Sequence, residues 1–444
     1  MTGFLLSSLR LNKVRDFIFY LLILFLPTQL GKHFWPEFSF IKGVRADYLS
    51  PTLYVTDILV LLIFVLFIFS KKKFLISNFK FLIKSQFLIL LFVVCLVVGI
   101  VLSKSPSAGV YGLLKLSEFG FLGFYVAHNI KKLKLENILL MFSIGIIFES
   151  FLAISQYLSN GSLQGIFYFF GERFFNSLTP GIANASLGGE LFLRPYGTFP
   201  HPNVLAGFLV IAMTLIVSSI KYQVLSMRNI VLTLSLVIGT IALFLTLSRV
   251  ATLVWLIFIG SWLMVRGIKK IKLKTSIFYI LLSIFSLLLV SFIFASSSFH
   301  YRFTNINLSD ESIVQRKNLI QNSITMAKDH PIFGVGLNNF LVNLPLYQTP
   351  HISPFYLQPV HNIFLLVFAE TGIIGLGFFI WFIYKTYKKI KEKKYTIHNT
   401  YYILLFSVLL LGMFDHYFLT LQQGQLLFSF ILGLCWSDPE TSSG

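Results

Sequence analysis

Charge is scarce in this 444-residue chain: Asp, Glu, Lys and Arg together make up 12%, against 56% hydrophobic residues and a mean hydropathy of +0.80. Soluble domains carry about a quarter of their residues charged, so a water-soluble globular fold is excluded. Acid is scarcest, with 17 Asp and Glu against 36 Lys and Arg and a net charge of +19. That excess does not imply a nucleic-acid partner. The basic residues cluster in short loops, at Lys71 to Lys73, Lys131, Lys132, Lys134, Lys269, Lys270 and through 385–394, the distribution left when basic loops of a membrane protein stay in the cytoplasm. Cys95 and Cys435 each lie inside an apolar run, which supports neither a disulfide nor a thiolate metal site. His-Glu-x-x-His, paired-aspartate and Gly-Lys-Ser/Thr arrangements are missing, so no metal and no nucleotide cofactor is expected. Internal repeats are missing too, which speaks against a two-fold transporter architecture.

Long apolar runs are what the chain has in abundance. Bounded by charges or Gly/Pro clusters, they predict about twelve spans near 15–31, 54–70, 85–103, 108–130, 136–158, 201–220, 229–247, 250–266, 275–295, 361–384, 400–420 and 424–436. The last is the weakest, about 20 Å of helix at 1.5 Å per residue. Phe17 to Leu26 ends in Pro27-Thr28-Gln29 without a small-residue cleavage pattern and reads as a retained signal anchor; Arg10, Lys13 and Arg15 keep the N-terminus inside. The expectation is an all-α polytopic integral membrane protein with both termini cytoplasmic. Residues 1–158 hold five spans, 159–436 the remainder, and 437–444 form a cytoplasmic tail.

Three outer segments, 32–53, 159–200 and 296–360, are too long for simple turns, and function is expected there. In the third, Ser309-Asp310-Glu311 caps a helix with apolar Ile313, Ile320, Ile324 and Ala327, stopped by His330-Pro331. In the second, Ile166-Phe167-Tyr168-Phe169-Phe170 and Phe174-Phe175 flank Glu172-Arg173, an aromatic-rich segment suited to the lipid headgroup layer.

The polar groups at helix mouths carry the chemistry. Arg194 to Asn203 leads from the second outer segment into a span, with Tyr196 and His201 on the way. Arg194 suits either a snorkelling anchor or an anion contact; Arg249, in a tight turn between two spans, needs an anionic partner. A guanidinium fork binds two phosphate oxygens at once. His361 and Asn362 open a helix: an imidazole there can act as a general base, and a capping or core histidine is the plainer reading. Glu370 lies about 13 Å deeper and pairs with another buried polar group, while Gly372, Gly375 and Gly377 permit close packing. Lys115, Glu118 and Glu149 form one buried charge cluster, read as a structural ion-pair network with a proton or ion path as the alternative. Asp415-His416-Tyr417 is placed to orient a catalytic group, although nothing in the spacing demands it.

Four pieces in this order resemble the O-antigen ligase/polymerase family: Arg194 to Asn203, Leu247-Ser248-Arg249, His330-Pro331-Ile332-Phe333-Gly334-Val335-Gly336, and His361-Asn362 with the Gly372/Gly375 spacing. Residues 1–150 match only by topology. The resemblance implies a glycosyltransferase-C-like fold and an integral-membrane glycosyltransferase acting at the outer face of the inner (cytoplasmic) membrane. It would move glycan from a polyprenyl-diphosphate donor to an acceptor hydroxyl on glycan, lipid core or protein, without metal or cofactor. By it His361 is the base, Arg194, Arg249 and Arg316 grip the lipid diphosphate, and Tyr196, His201, Asn203 and Asn362 support them. A ligase is favoured, a repeat-unit polymerase comes second, and a lipid-linked glycan flippase or secondary transporter is the alternative from another class.

Overall fold

The structure, a computed structural model, describes residues 2–70, 87–187, 190–219, 227–268, 311–348, 357–393 and 398–437. Helices dominate: α1 (Thr2–Leu24), α2 (Val55–Ser70), α3 (Phe87–Val101), α4 (Pro106–Asn129), α5 (Leu135–Ser159), α6 (Pro202–Ser219), α7 (Met227–Leu245), α8 (Arg249–Ile268), α9 (Glu311–Asp329), α10 (Phe340–Tyr347), α11 (Ile363–Lys391), α12 (His398–Gly412), α13 (Tyr417–Thr420) and α14 (Gln422–Trp436). Of these, α4, α5, α7 and α11 are long and apolar enough to cross a membrane, and α2, α3, α6, α8 and α12 contain shorter apolar stretches. The chain is a multi-pass membrane protein. The span expected at 275–295 lies outside the described residues, as do 296–310 and 349–356 of the third long segment.

Local chemistry sets the helix ends. Ser105 accepts the Ala108 amide and Pro106 opens α4, a position where its missing N–H costs nothing. Asn362 caps α11 by accepting the amides of Phe364 and Leu365, and Asn160 closes α5 in a left-handed conformation. The span expected at 400–420 is broken: α12 stops at Gly412, and Asp415 and His416 sit in the connection to α13. His201 and His361 likewise lie just outside the helices they precede.

The main core joins α1, α2, α4 to α8, α12 and α14, with α5 against α7 and α4 against α14 as the most extensive contacts. The short α14, the weakest expected span, is buried along most of its length. A second core joins residues 41–49 to α9, α10 and the first half of α11. Three two-stranded antiparallel pairs break the all-α expectation in the loops: β1 (Gly31–His33) with β4 (Thr52–Tyr54), β2 (Phe40–Ile41) with β3 (Val44–Arg45), and β5 (Asn184–Leu187) with β6 (Glu190–Leu193).

On α9, whose apolar side suits either the membrane or the bundle, Leu319, Ser323, Met326 and Ala327 are buried while Ile320 and Ile324 are exposed. Two sequence readings are corrected. Glu149 does not join Lys115 and Glu118. Lys115 Nζ instead lies 2.8 Å from Asp57, 3.1 Å from Glu118 and 3.1 Å from Gln422 Oε1, tying α4 to α2 and α14. Gln422 also donates to Asp57 and Thr56. Gly372 is more than a packing residue. It holds φ +64 inside α11 and breaks the helix there.

Candidate functional site

The break at Gly372 has a purpose visible in the backbone. Segment 331–336 docks onto it with three bonds: Val335 N–H donates to Ala369 O at 2.9 Å, Gly336 N–H to Glu370 O at 2.9 Å, and Ile373 N–H to Pro331 O at 2.8 Å. Gly334 (φ +66) and Gly372 approach so closely that a Cβ on either would strike the opposing main chain, at Glu370 and Ile332 respectively. The Glu370 carboxylate then accepts the Phe340 amide at 3.2 Å, holding the start of α10 rather than pairing with a side chain. The His330-to-Gly336 motif and the glycines after His361 are thus two halves of one joint, which fixes the helix that His361 precedes. At its mouth, Asn362 Nδ2 donates to Met413 O at 3.0 Å and pins α11 to the Asp415 connection.

A second set of bonds builds the approach to α6. Inside α5, Glu149 accepts the Thr198 hydroxyl at 2.6 Å and its amide at 2.8 Å. Two helical turns further on, Gln156 Oε1 accepts the amides of Tyr196 and Gly197, and its Nε2 donates to Gly197 O and to Glu172. A buried carboxylate and a buried amide are satisfied by the 196–198 backbone, which explains polar residues inside an apolar helix. The turn is held so that Arg194, itself buried, donates from Nε to Thr246 O at 2.8 Å and from Nη2 to Asn203 Oδ1 at 2.7 Å. Thr246 precedes Leu247, at φ +53, and Arg249 opens α8, so both arginines belong to one corner. The Tyr196 hydroxyl accepts the Ala183 amide at 2.8 Å, and its ring stands 6.1 Å from that of His201.

Asn203 carries the connection onward. Its Nδ2 donates to Asp415 Oδ2 at 3.0 Å, and Asp415 Oδ1 accepts the His416 amide at 2.8 Å. The His361 and His416 rings meet edge to face at 5.1 Å, and the Tyr48 ring meets that of His416 edge to face at 5.4 Å. His361 Nδ1 is buried with no hydrogen-bond partner among the described residues. Burial pushes the His361 imidazole down to about 3; the Asp415 carboxylate opposes that, while His416 and Arg316 add to it. Burial likewise holds His201 down at about 3, with Arg194 as the next cause, and His416 down at about 4. Asp415 goes the other way for a buried acid: burial would raise it, but His361, His416, His201 and Arg316 together hold it below the ordinary carboxylate range. The arrangement is one ionised carboxylate among neutral imidazoles, edged by guanidinium groups.

The structure therefore brings together Arg194, His201, Asn203, His361 and Asn362 through Asp415, with Arg316 of α9 close enough to act on all three imidazoles and Asp415. Asp415 and His416 sit at the hub of these contacts, where the sequence offered them as a group that could orient a catalytic residue without the spacing demanding it. Gln156 and Glu172 were missed; the available signal was an unexplained glutamine in an apolar span. Ligand atoms of His361, Asp415 and His416 all lie within 4.8 Å of one another, near enough to consider a cation. Tetrahedral ligands on a zinc ion stand about 3.4 Å apart, given bonds of about 2.0–2.1 Å. The Asp415 oxygens already accept two N–H bonds and His416 Nδ1 lies 2.6 Å from Thr420 Oγ1. With Arg316 acting on all three groups, this donor set fits an anion at its edge better than a divalent cation at its centre.

The site sets a neutral histidine beside arginines at the helix ends of a membrane protein, a setting in which fixed positive charge can hold an anionic group. Residues 234–380, about a third of the chain, match the family model described as O-Antigen ligase, which supports a membrane glycan-processing enzyme. The match contains Arg249, Arg316, the 330–336 motif, His361 and the Gly372 joint; Arg194, His201, Asp415 and His416 join from outside it. No curated protein matches the chain.

Proposed function

We propose that the protein is an O-antigen ligase-type glycosyltransferase of the inner membrane, transferring glycan from a polyprenyl diphosphate to an acceptor hydroxyl. In this reading about twelve spans place both termini in the cytoplasm and the site at the outer face, with residues 1–158 as a scaffold and 159–436 as the working region. The observation that carries it is His361 held neutral beside Asp415 at a cationic corner. A neutral imidazole accepts the acceptor hydroxyl's proton as the oxygen attacks the anomeric carbon. The bond from that carbon to the diphosphate oxygen breaks, and the electron pair leaves with the diphosphate. Arg194, Arg249 and Arg316 stabilise the charge that collects there, in a site where fixed positive charge replaces a metal ion. Attack from the face opposite the leaving group inverts the anomeric centre. Asp415 orients His361 and stabilises its imidazolium; His201, Asn203, Tyr196 and Asn362 hold the arginine and histidine walls.

The test is glycan transfer by purified protein from a polyprenyl-diphosphate donor in chelator, comparing wild type with His361→Ala and Arg249→Ala. Loss of about 10²-fold or more in both folded variants is expected for removal of a base or of a transition-state charge contact. Undiminished transfer in both would remove this site. Offering lipid-core and glycan repeat-unit acceptors in parallel separates the ligase from the polymerase.

A further inference from the structure

We infer that residues 161–178 form an interfacial membrane anchor, a wedge whose aromatic side enters the headgroup–acyl boundary and which is rigidly linked to the Arg194 turn. The chain around the short 3₁₀ turn Gly165–Phe170 leaves Ile166 66%, Tyr168 62%, Phe169 70%, Phe174 72% and Leu178 86% exposed. Two-thirds of such side chains amounts to roughly 500 Å², at about 150–250 Å² per aromatic residue, which is at or above what a water-facing protein surface leaves uncovered. The partner is argued from continuity. Phe167 and Phe170 rest on Phe148 of the spanning helix α5, at 6.3 and 5.2 Å, and the exposed apolar side of α5 continues alongside through Phe151 and Leu158. A lipid-facing helix that runs without interruption into an exposed patch of Phe, Tyr, Ile and Leu defines a surface for lipid.

Charge agrees. Between Ser159 and Thr179 the side chains charged at neutral pH are Glu172 and Arg173. Glu172 is turned inward and 3% exposed, accepting the amides of Leu163 at 2.9 Å and Gln164 at 2.6 Å and the Gln156 side chain at 2.8 Å. No carboxylate therefore faces the bilayer from this wedge. Rigidity follows from the same bonds, joined by Thr28 Oγ1 donating to Phe170 O at 2.5 Å and Ser162 paired with Phe175. Gln156 is shared: it holds Glu172 on one side and the amides of Tyr196 and Gly197 on the other, while Arg173 donates to Pro200 O at 2.8 Å. The depth of the wedge in the lipid thereby sets the height of the Arg194 turn above it.

The full-length protein, with Cys95 and Cys435 replaced by Ala, is labelled with an environment-sensitive fluorophore at Phe169→Cys and, separately, at exposed Lys42→Cys, in vesicles of phosphatidylglycerol and phosphatidylethanolamine. The expected result at 169 is blue-shifted emission, quenched by shallow spin-labelled lipid and not by aqueous iodide; the 42 probe responds to iodide. Iodide quenching at 169 overturns the proposal, and so does a blue-shifted probe that neither agent quenches, the signature of burial against protein. The link to the Arg194 turn rests on the proposed donor site, and its readout is separate: Phe169→Asp/Phe174→Asp raises KM for the polyprenyl-diphosphate donor several-fold with kcat retained. Unchanged KM alongside confirmed lipid quenching overturns the linkage alone, and inactivity of the wild type would count against the donor reading without touching the anchor.

Discussion

At the scale of residues, the site is decided by burial acting on groups that titrate near neutrality. An ordinary imidazole with a pKa of 6.5 loses about 90% of its base form by pH 5.5, whereas His361, lowered to about 3, keeps it. The sign follows: the base form exists above the pKa, so lowering the pKa extends activity toward acid. We expect kcat/KM for transfer to stay flat from pH 7.5 to 5.5 and to fall only below. Asp415→Asn removes the group that raises His361, so any acid limb should move further down while the rate drops, about ten-fold or more for a lost orienting carboxylate. Arg316→Gln removes a group that lowers His361, and its limb should move up. A pH–rate series on the three proteins checks both directions; displacement of the two limbs in the same direction would refute the electrostatic account. His361 and its helix mouth were readable in the sequence because an imidazole there stands out from apolar surroundings. Asp415 was not, since its role depends on Asn203, His361 and His416 arriving from three other places in the chain.

At the scale of elements, the Gly372 joint makes α11 a helix with an interruption used for pairing. A side chain at φ +64 costs about 1–2 kcal/mol before any contact is counted, and a Cβ there meets Ile332 O. Gly372→Ala should therefore destabilise by at least about 2 kcal/mol, measured as a lowered thermal midpoint in detergent, whereas Gly377→Ala, whose Cβ meets open space, should change little. Equal midpoints for the two would show that segment 331–336 does not bear on the break. Here the sequence offered two glycine motifs and the reading of close packing; that one docks on the other required the three backbone bonds between residues 331–336 and 369–373. The α9 face illustrates the same limit. Ile320 and Ile324 recur at helical spacing, yet in a membrane protein an apolar side chain is as much at home facing lipid as facing protein.

At the scale of the whole molecule, the basic loops and the functional end should lie on opposite sides of the membrane. Single cysteines at Lys42 and at Lys389, in a chain lacking Cys95 and Cys435, test this in intact cells: an impermeant thiol reagent should label position 42 and spare 389 until the membrane is opened. The reverse pattern would invert the proposed topology and move His361 to the cytoplasmic side. The buried Lys115–Asp57–Glu118–Gln422 group belongs to this scale as well, because it ties three helices together and lies apart from Glu149, which serves the 196–198 turn.

The sequence by itself determined that the chain is a helical multi-pass membrane protein, because bilayer-length apolar runs and segregated basic loops are one-dimensional properties that need no neighbours. It also marked His361, Arg194 and Arg249, since polar groups at apolar helix ends are conspicuous in one dimension too. Only the tertiary structure decided which of these groups lie together, that Asp415 and His416 link them, and that Glu149 and Gln156 spend their polarity on a loop backbone. Those outcomes depend on burial and on partners distant in the chain, and neither is encoded in local spacing.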